Sequence, residues 1–184
     1  MISETIKIIL SEIGNVLAKT NEAQVIELVR ELIKAKKIVA IGAGRVGLAV
    51  KAFTMRLGHL GCCAFMLGDA TVPSIGKEDL LLVCSGSGET QTIYDIVEIA
   101  RSNKAKIALI TANCKSRMGK LSDTIVEIKA PSKCKQVSGF KSVQPMTTLN
   151  EQCLGIFLDA VVLCLMVKLN ENHESMWARH SNLE

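Results

Sequence analysis

The chain has 184 residues, a net charge of +4 and a composition that is 48% hydrophobic but only 3% aromatic. That length fits one domain with a core of Ile, Leu, Val and Ala. The dispersed Lys and Arg residues and the shortage of aromatics to stack bases argue against a nucleic-acid partner, while the mild basic surplus suits small anionic ligands.

Taken in chain order, Met1 to Lys19 carries Ile2, Ile6, Ile9, Ile13 and Val16 at helical spacing, and Asn21 stands as N-cap before a second amphipathic helix ending at Ala35. These two helices either form an arm on a neighbouring subunit or pack on their own sheet. Lys37 to Ile41 is the first predicted strand. Gly42-Ala43-Gly44-Arg45-Val46-Gly47 then opens a helix to His59, which Gly61 ends. Cys62 to Leu67 is the second strand, Asp79 to Cys84 the third, Lys106 to Thr111 the fourth and Thr124 to Ile128 the fifth. Helices are predicted over Gln91–Ser102, over Arg117–Leu121 and from about Thr147 to Leu169. Pro131 to Met146 reads as a long irregular segment of the kind that often serves function. Strands alternating with helices predict an α/β fold, a parallel five-stranded sheet between helical layers in a three-layer α-β-α sandwich. The loops after the strands then share one edge, where ligands bind.

Two loops on that edge carry chemistry. Ser85-Gly86-Ser87-Gly88-Glu89-Thr90 joins a buried strand to a helix N-terminus, where backbone N–H groups and the helix dipole favour a phosphate. The loop has no Lys and no G-x-x-x-x-G-K-[ST] pattern, so a monophosphate fits better than a nucleoside triphosphate. The plainer reading makes Thr90 or Ser87 an ordinary N-cap. Gly42, Gly44 and Gly47 match the G-x-G-x-x-G dinucleotide fingerprint, with Asp69 lying 22 residues after Gly47. Asp69 falls past the end of its strand, however, and a dinucleotide would leave the Ser/Gly loop unexplained. Glu151 sits in the first turn of the last helix. It is a candidate general base, or with Thr148 one half of a capping box. Of the three histidines, His59 lies at a helix C-terminus and His180 in a tail that keeps Trp177 and Leu183.

The seven cysteines show no C-x-x-C and no metal-ligand spacing, and the start of the chain has no signal-like apolar region. They read as reduced thiols of a cytoplasmic protein. The longest apolar run, Cys153 to Val167, is interrupted by Asp159 and is short for a bilayer span, so it is expected as a buried helix and no membrane partner is expected.

Together, Gly42-Ala-Gly44-Arg45, Met55-Arg56-Leu57 with His59-Leu60-Gly61, Ser85 to Thr90, Gly139 to Met146, Glu151-Gln152 and the terminal Arg-His-Ser-Asn-Leu-Glu resemble a sugar isomerase (SIS) domain, from about Lys36 to the C-terminus. Within that family they are most similar to the 6-phospho-3-hexuloisomerases. The resemblance implies one SIS domain over residues 1–184, with 1–35 as an N-terminal helical arm. It also implies a homo-oligomer, a tetramer, with sites at subunit interfaces. The implied reaction interconverts D-arabino-hex-3-ulose 6-phosphate and fructose 6-phosphate through a cis-enediolate, without metal or other cofactor. Other sugar-phosphate isomerisations and a non-catalytic phosphosugar-binding role are the alternatives. By this resemblance Glu151 is the base. Ser85, Gly86, Ser87, Gly88 and Thr90 hold the phosphate, Gly44 and Arg45 supply donors to the enediolate, and His59 or His180 moves protons, from a neighbouring subunit if need be. The chain departs from the family at Val46, where Ser is common, at Asp69, where Glu is usual, and over Thr147 to Asn150.

Overall fold

The computed structural model describes residues 1–132 and 142–183. Most of the irregular segment expected at Pro131 to Met146 therefore lies outside the described residues. The elements in chain order are α1 (Ile2–Leu17), α2 (Glu22–Lys34), β1 (Ile38–Gly42), α3 (Gly44–His59), β2 (Ala64–Met66), β3 (Leu80–Cys84), α4 (Gln91–Ser102), β4 (Lys106–Thr111), α5 (Arg117–Leu121), β5 (Thr124–Glu127), α6 (Thr148–Leu169) and α7 (His173–Trp177). The strands form one parallel sheet in the order β2-β1-β3-β4-β5.

The sheet is apolar on both faces because successive side chains alternate sides and both sides are covered by helices. Ile38, Ala40, Leu80, Leu82, Ala108 and Ile110 face a core shared with α1, α2, α3 and α6. Val39, Ile41, Leu81, Val83, Ile107 and Leu109 face a second core filled by Ile93 and Val97 of α4 and Met118 of α5. The three-layer α/β sandwich is thus as expected. Of the N-terminal helices, α2 and the second half of α1 pack on the chain's own core through Ile13, Val16, Leu28, Val29 and Leu32. Ile2, Ile6 and Leu10 on the outer side of α1 are exposed. Asn21 caps α2, its side chain accepting from the N–H groups of Ala23 and Gln24.

Helix α6 is long and apolar enough to cross a membrane, but its Leu149, Cys153, Phe157, Leu158, Val161 and Leu165 belong to the core beside the sheet. Its other face exposes Ile156, Leu163 and Val167, so it is buried on one side rather than all round. Strand β2 has only three residues, shorter than the expected Cys62 to Leu67, and as an edge strand it pairs on one side alone. Helix α7 follows a polar stretch that carries no periodicity. It is set by a capping box between Asn172 and Ser175.

The G-x-G-x-x-G match has a packing explanation. A Cβ on Gly47 would stand 2.6 Å from the carbonyl oxygen of Gly42, so α3 starts in near-contact with the end of β1. Gly44 has φ +58°, which turns the chain from β1 into the helix. Asp69, the would-be ribose ligand of the fingerprint, is exposed beyond β2. Replacing Gly47 by Ala is expected to cost roughly 1–3 kcal/mol through forced separation of α3 from β1, seen as a lowered Tm.

Candidate active site

The strand order reverses between β1 and β3: α3 leaves β1 toward one edge and one face, and α4 leaves β3 toward the other. Such a switch opens a crevice at the carboxyl ends of the two strands. Here it forms a cleft of about 250 Å³ lined by Gly44 and Arg45 after β1, by Ser85, Gly86, Ser87 and Thr90 after β3, and by Thr147, Asn150 and Glu151 at the start of α6.

The loop after β3 is held by its carbonyls. Gly86 O accepts from Ala112 N (3.1 Å), Ser87 O from Asn113 Nδ2 (3.3 Å) and Gly88 O from Met118 N (3.3 Å). These bonds turn the oxygens toward the β4–α5 side. The N–H groups of Gly86, Ser87 and Thr90 make no backbone hydrogen bond among the described residues. Thr90 occupies the N-cap position of α4, yet its side chain makes no cap hydrogen bond. The ordinary-cap reading therefore does not describe the loop, and Gly86, Ser87 and Thr90 line the cleft. The Ser85 and Ser87 hydroxyls shape the turn by accepting from Gly88 N (3.1 Å) and Glu89 N (3.2 Å). Gly88, expected among the phosphate ligands, does not line the cleft. It has φ +67°, and a Cβ there would fall 2.0 Å from Ser116 Oγ, so its place in the loop is steric.

Glu151 lies at the opposite wall. Its Oε2 is 3.1 Å from Arg45 Nε, with the carboxylate side chain 16% exposed and the Arg45 side chain 59% exposed. Thr147 Oγ1 donates to Glu151 Oε1 at 2.8 Å. The capping box with Thr148 is not formed, because Thr147 is the N-cap residue and its hydroxyl is turned to the carboxylate rather than to a backbone N–H. Ser132 also lines the cleft, and its buried Oγ has no hydrogen-bond partner among the described residues.

His59 and His180 are brought together, but not to this cleft. Their rings stack with centroids 5.2 Å apart, and His180 stacks in turn on Trp177 at 5.0 Å. Arg179 Nη1 donates to the His59 carbonyl at 3.0 Å, tying the tail to the end of α3. That end lies the whole 16-residue helix away from Gly44 and Arg45, about 24 Å at 1.5 Å per residue. Within one protomer the pair is out of reach of Glu151.

Sequence reasoning missed the residues that hold the loop from outside. Arg117 donates to Glu89 through its backbone N (2.9 Å) and Nε (2.8 Å), to the Glu89 carbonyl through Nη2 (2.8 Å) and to Gln91 Oε1 (3.0 Å), and its guanidinium lies 4.3 Å from the Tyr94 ring centroid. It also missed Asn150, whose side chain would meet a Cβ on Gly86 at 2.7 Å. These partners are distant in sequence. The only signal was the Gly at position 86, where a close neighbour had to be accommodated.

The sequence model of the SIS domain matches residues 31–154. The chain belongs to the SIS family. It is 36% identical over 182 residues to the 3-hexulose-6-phosphate isomerase of Bacillus subtilis, an alignment covering 99% of this chain and 98% of the relative. It is 36% identical over 183 residues to the enzyme of the same name from Mycobacterium gastri, covering 100% and 92%. Among solved structures it superposes with a TM-score of 0.84 and 32% identity on a hypothetical protein of Methanococcus jannaschii. That match covers 98% of this chain and 99% of the other, and the crystal structure infers for that protein a molecular function of 3-hexulose-6-phosphate isomerase.

The Glu89 carboxyl is held below its ordinary range by the Arg117 backbone N–H and then by the Arg117 guanidinium. A depressed folded-state value means the interaction contributes fully above the ordinary carboxylate pKa of about 4.3 and is lost as pH falls through the lower folded value. A titration of the Glu89 side-chain carbon by NMR is expected to show a midpoint below that of a free glutamate, moving only part of the way back in Arg117→Ala, which removes the guanidinium but keeps the backbone N–H.

Proposed function

We propose that this SIS protein is a 3-hexulose-6-phosphate isomerase, interconverting D-arabino-hex-3-ulose 6-phosphate and fructose 6-phosphate. The observation that carries the reading is a carboxylate, Glu151, on the opposite wall of the same cleft as a loop with free backbone donors, in a chain that matches enzymes of that name over nearly its whole length.

The reaction moves a carbonyl from C3 to C2. Glu151 removes the proton from C2, the electrons form a C2–C3 double bond, and the resulting cis-enediolate carries charge on the oxygens. Arg45, 3.1 Å from Glu151, is placed to stabilise that charge as it develops. The proton then returns to C3 from Glu151, while the O2 proton passes to O3. Thr147 holds one carboxylate oxygen, which orients the other toward substrate. The N–H groups of Gly86, Ser87 and Thr90 bind the phosphate at the far end of the sugar, and this remote binding fixes C2 and C3 against the base.

The stacked His59–His180 pair fits the O2-to-O3 proton transfer only if it is delivered by a neighbouring subunit, so the reading includes a homo-oligomer, and we take it to be a tetramer. The exposed apolar row Ile156, Leu163 and Val167 on α6, with Leu48 and Met55 on α3, supports such self-association. The place of the reaction is the ribulose monophosphate pathway, in the cytoplasm.

The test is formation of fructose 6-phosphate from hexulose phosphate generated in situ from ribulose 5-phosphate and formaldehyde by a purified synthase, with EDTA present. Steady formation dependent on this protein is expected, and none with an active synthase overturns the reading. Glu151→Gln is expected to lower kcat by roughly 10²–10⁴-fold, the usual contribution of a general base, with KM little changed. Near-normal kcat in that variant would remove Glu151 from the role of base.

A further inference from the structure

Glu12 is a carboxylate on the apolar side of α1, between the core positions Ile9 and Ile13, and only 9% exposed. A buried charge there is unfavourable unless its oxygens are satisfied. All of its described partners come from one short segment. Ser142 Oγ donates to Oε2 at 2.8 Å, Gln144 Nε2 donates to Oε2 at 2.9 Å, and Val143 N–H donates to Oε1 at 2.9 Å. Ser142 Oγ also accepts from Gln144 N at 3.0 Å, which closes the segment into a turn around the carboxylate. Burial pushes the Glu12 carboxyl up, but the bonds from Gln144, Val143 and Ser142 outweigh it and hold the carboxyl below its ordinary range, so it is ionised at neutral pH.

The segment leads directly into the candidate active site. Thr148 N donates to Pro145 O at 3.2 Å, Met146 adopts φ +56°, and Thr147 and Glu151 follow on the cleft wall. A left-handed conformation at a Met persists only where its surroundings impose it. Glu12 is fixed to the core by the packing of α1, whose Ile13 and Val16 share that core with Cys153 and Phe157 of α6.

We propose that Glu12 is a positioning residue: its three hydrogen bonds to Ser142, Val143 and Gln144 set where the first turn of α6 presents Thr147 and Glu151 to the cleft. The N-terminal helix thereby takes part in catalysis without touching substrate. The catalytic consequence rests on the function proposed above; the connection itself does not.

Five proteins test it: the unsubstituted chain, Glu12→Gln, Gln144→Ala, the double variant and the more severe Glu12→Ala. Glu12→Ala is expected to lower kcat by about tenfold or more, since small misplacements of a catalytic group are costly. KM should change less than about twofold, because the phosphate loop hangs from β3 rather than from α1. Glu12→Gln keeps an acceptor for Val143 N–H and is expected to fall between. The kcat losses of Glu12→Gln and Gln144→Ala should be clearly less than additive in the double variant. Amide exchange at Val143, Thr148 and Glu151 should speed up in the Glu12 variants while that of β3 and α4 stays unchanged. Unaltered kcat in Glu12→Ala, or additive losses in the double variant, would overturn the positioning role. If the unmodified protein does not turn over hexulose phosphate, the function reading fails separately, and unaltered exchange at Thr148 and Glu151 would then overturn this proposal on its own terms.

Discussion

The constraint on which the molecule depends is the reversal of strand order between β1 and β3. Two adjacent parallel strands must send their chains to opposite faces, and the space between the departing loops cannot be filled by either helix. Arg45 and the Ser85–Thr90 loop meet across that space because β1 and β3 are in register, with Gly42 opposite Cys84. The register is strongly specified: a one-residue slip would exchange the two cores, turning Ile38 and Ala40 toward α4 and Val39 and Ile41 toward α3.

The first wall of the cleft is a loop whose Gly86, Ser87 and Gly88 oxygens are bonded to the segment from Ala112 to Met118, while the N–H groups of Gly86, Ser87 and Thr90 make no backbone hydrogen bond among the described residues. Two steric contacts enforce this arrangement. Gly88 lies against Ser116, and Gly86 lies against Asn150, in each case closer than any side chain would permit. The second wall is α6, whose first turn brings Glu151 against Arg45. The helix is anchored by its apolar side on the sheet, and the approach to its N-terminus is tied by polar bonds to Glu12 of α1. The Ser85–Thr90 loop and Glu151 thus hang from separate parts of the scaffold: β3 with α4 and α5 on one side, α6 with α1 on the other.

The glycines after β1 show how one motif serves two ends. Gly47 lets α3 approach β1, a requirement of helix–strand packing that dinucleotide-binding folds share with this one. The resemblance of Gly42-x-Gly44-x-x-Gly47 to a dinucleotide fingerprint therefore reflects common packing. Arg45, placed between Gly44 and Gly47, makes an ion pair with Glu151.

Much of this was legible in the sequence. Strands β1, β3 and β4 were readable because each is built on a run of at least four consecutive apolar residues. Helices α2 and α4 were readable because one face is apolar and the other charged, so α4 was expected over the residues it occupies. The Ser/Gly loop and Glu151 were legible because helix N-termini carry a local signature of donors and acids. Helix α7 was not, since five residues around a capping box carry no periodicity. Nor were the packing of α1 and α2 on the chain's own core and the one-sided burial of α6 legible, because an apolar residue looks the same in sequence whether it meets a sheet or the outside. What the sequence by itself determined was the alternation of elements and the chemical kind of each loop, both local properties of a few neighbouring residues. The tertiary structure alone decided that Glu151 meets Arg45, that Arg117 grips Glu89, that Glu12 holds the approach to α6, and that His59 pairs with His180 a helix length away. Each of those contacts joins segments far apart in the chain or turns on side-chain direction, and no local pattern encodes the pairing.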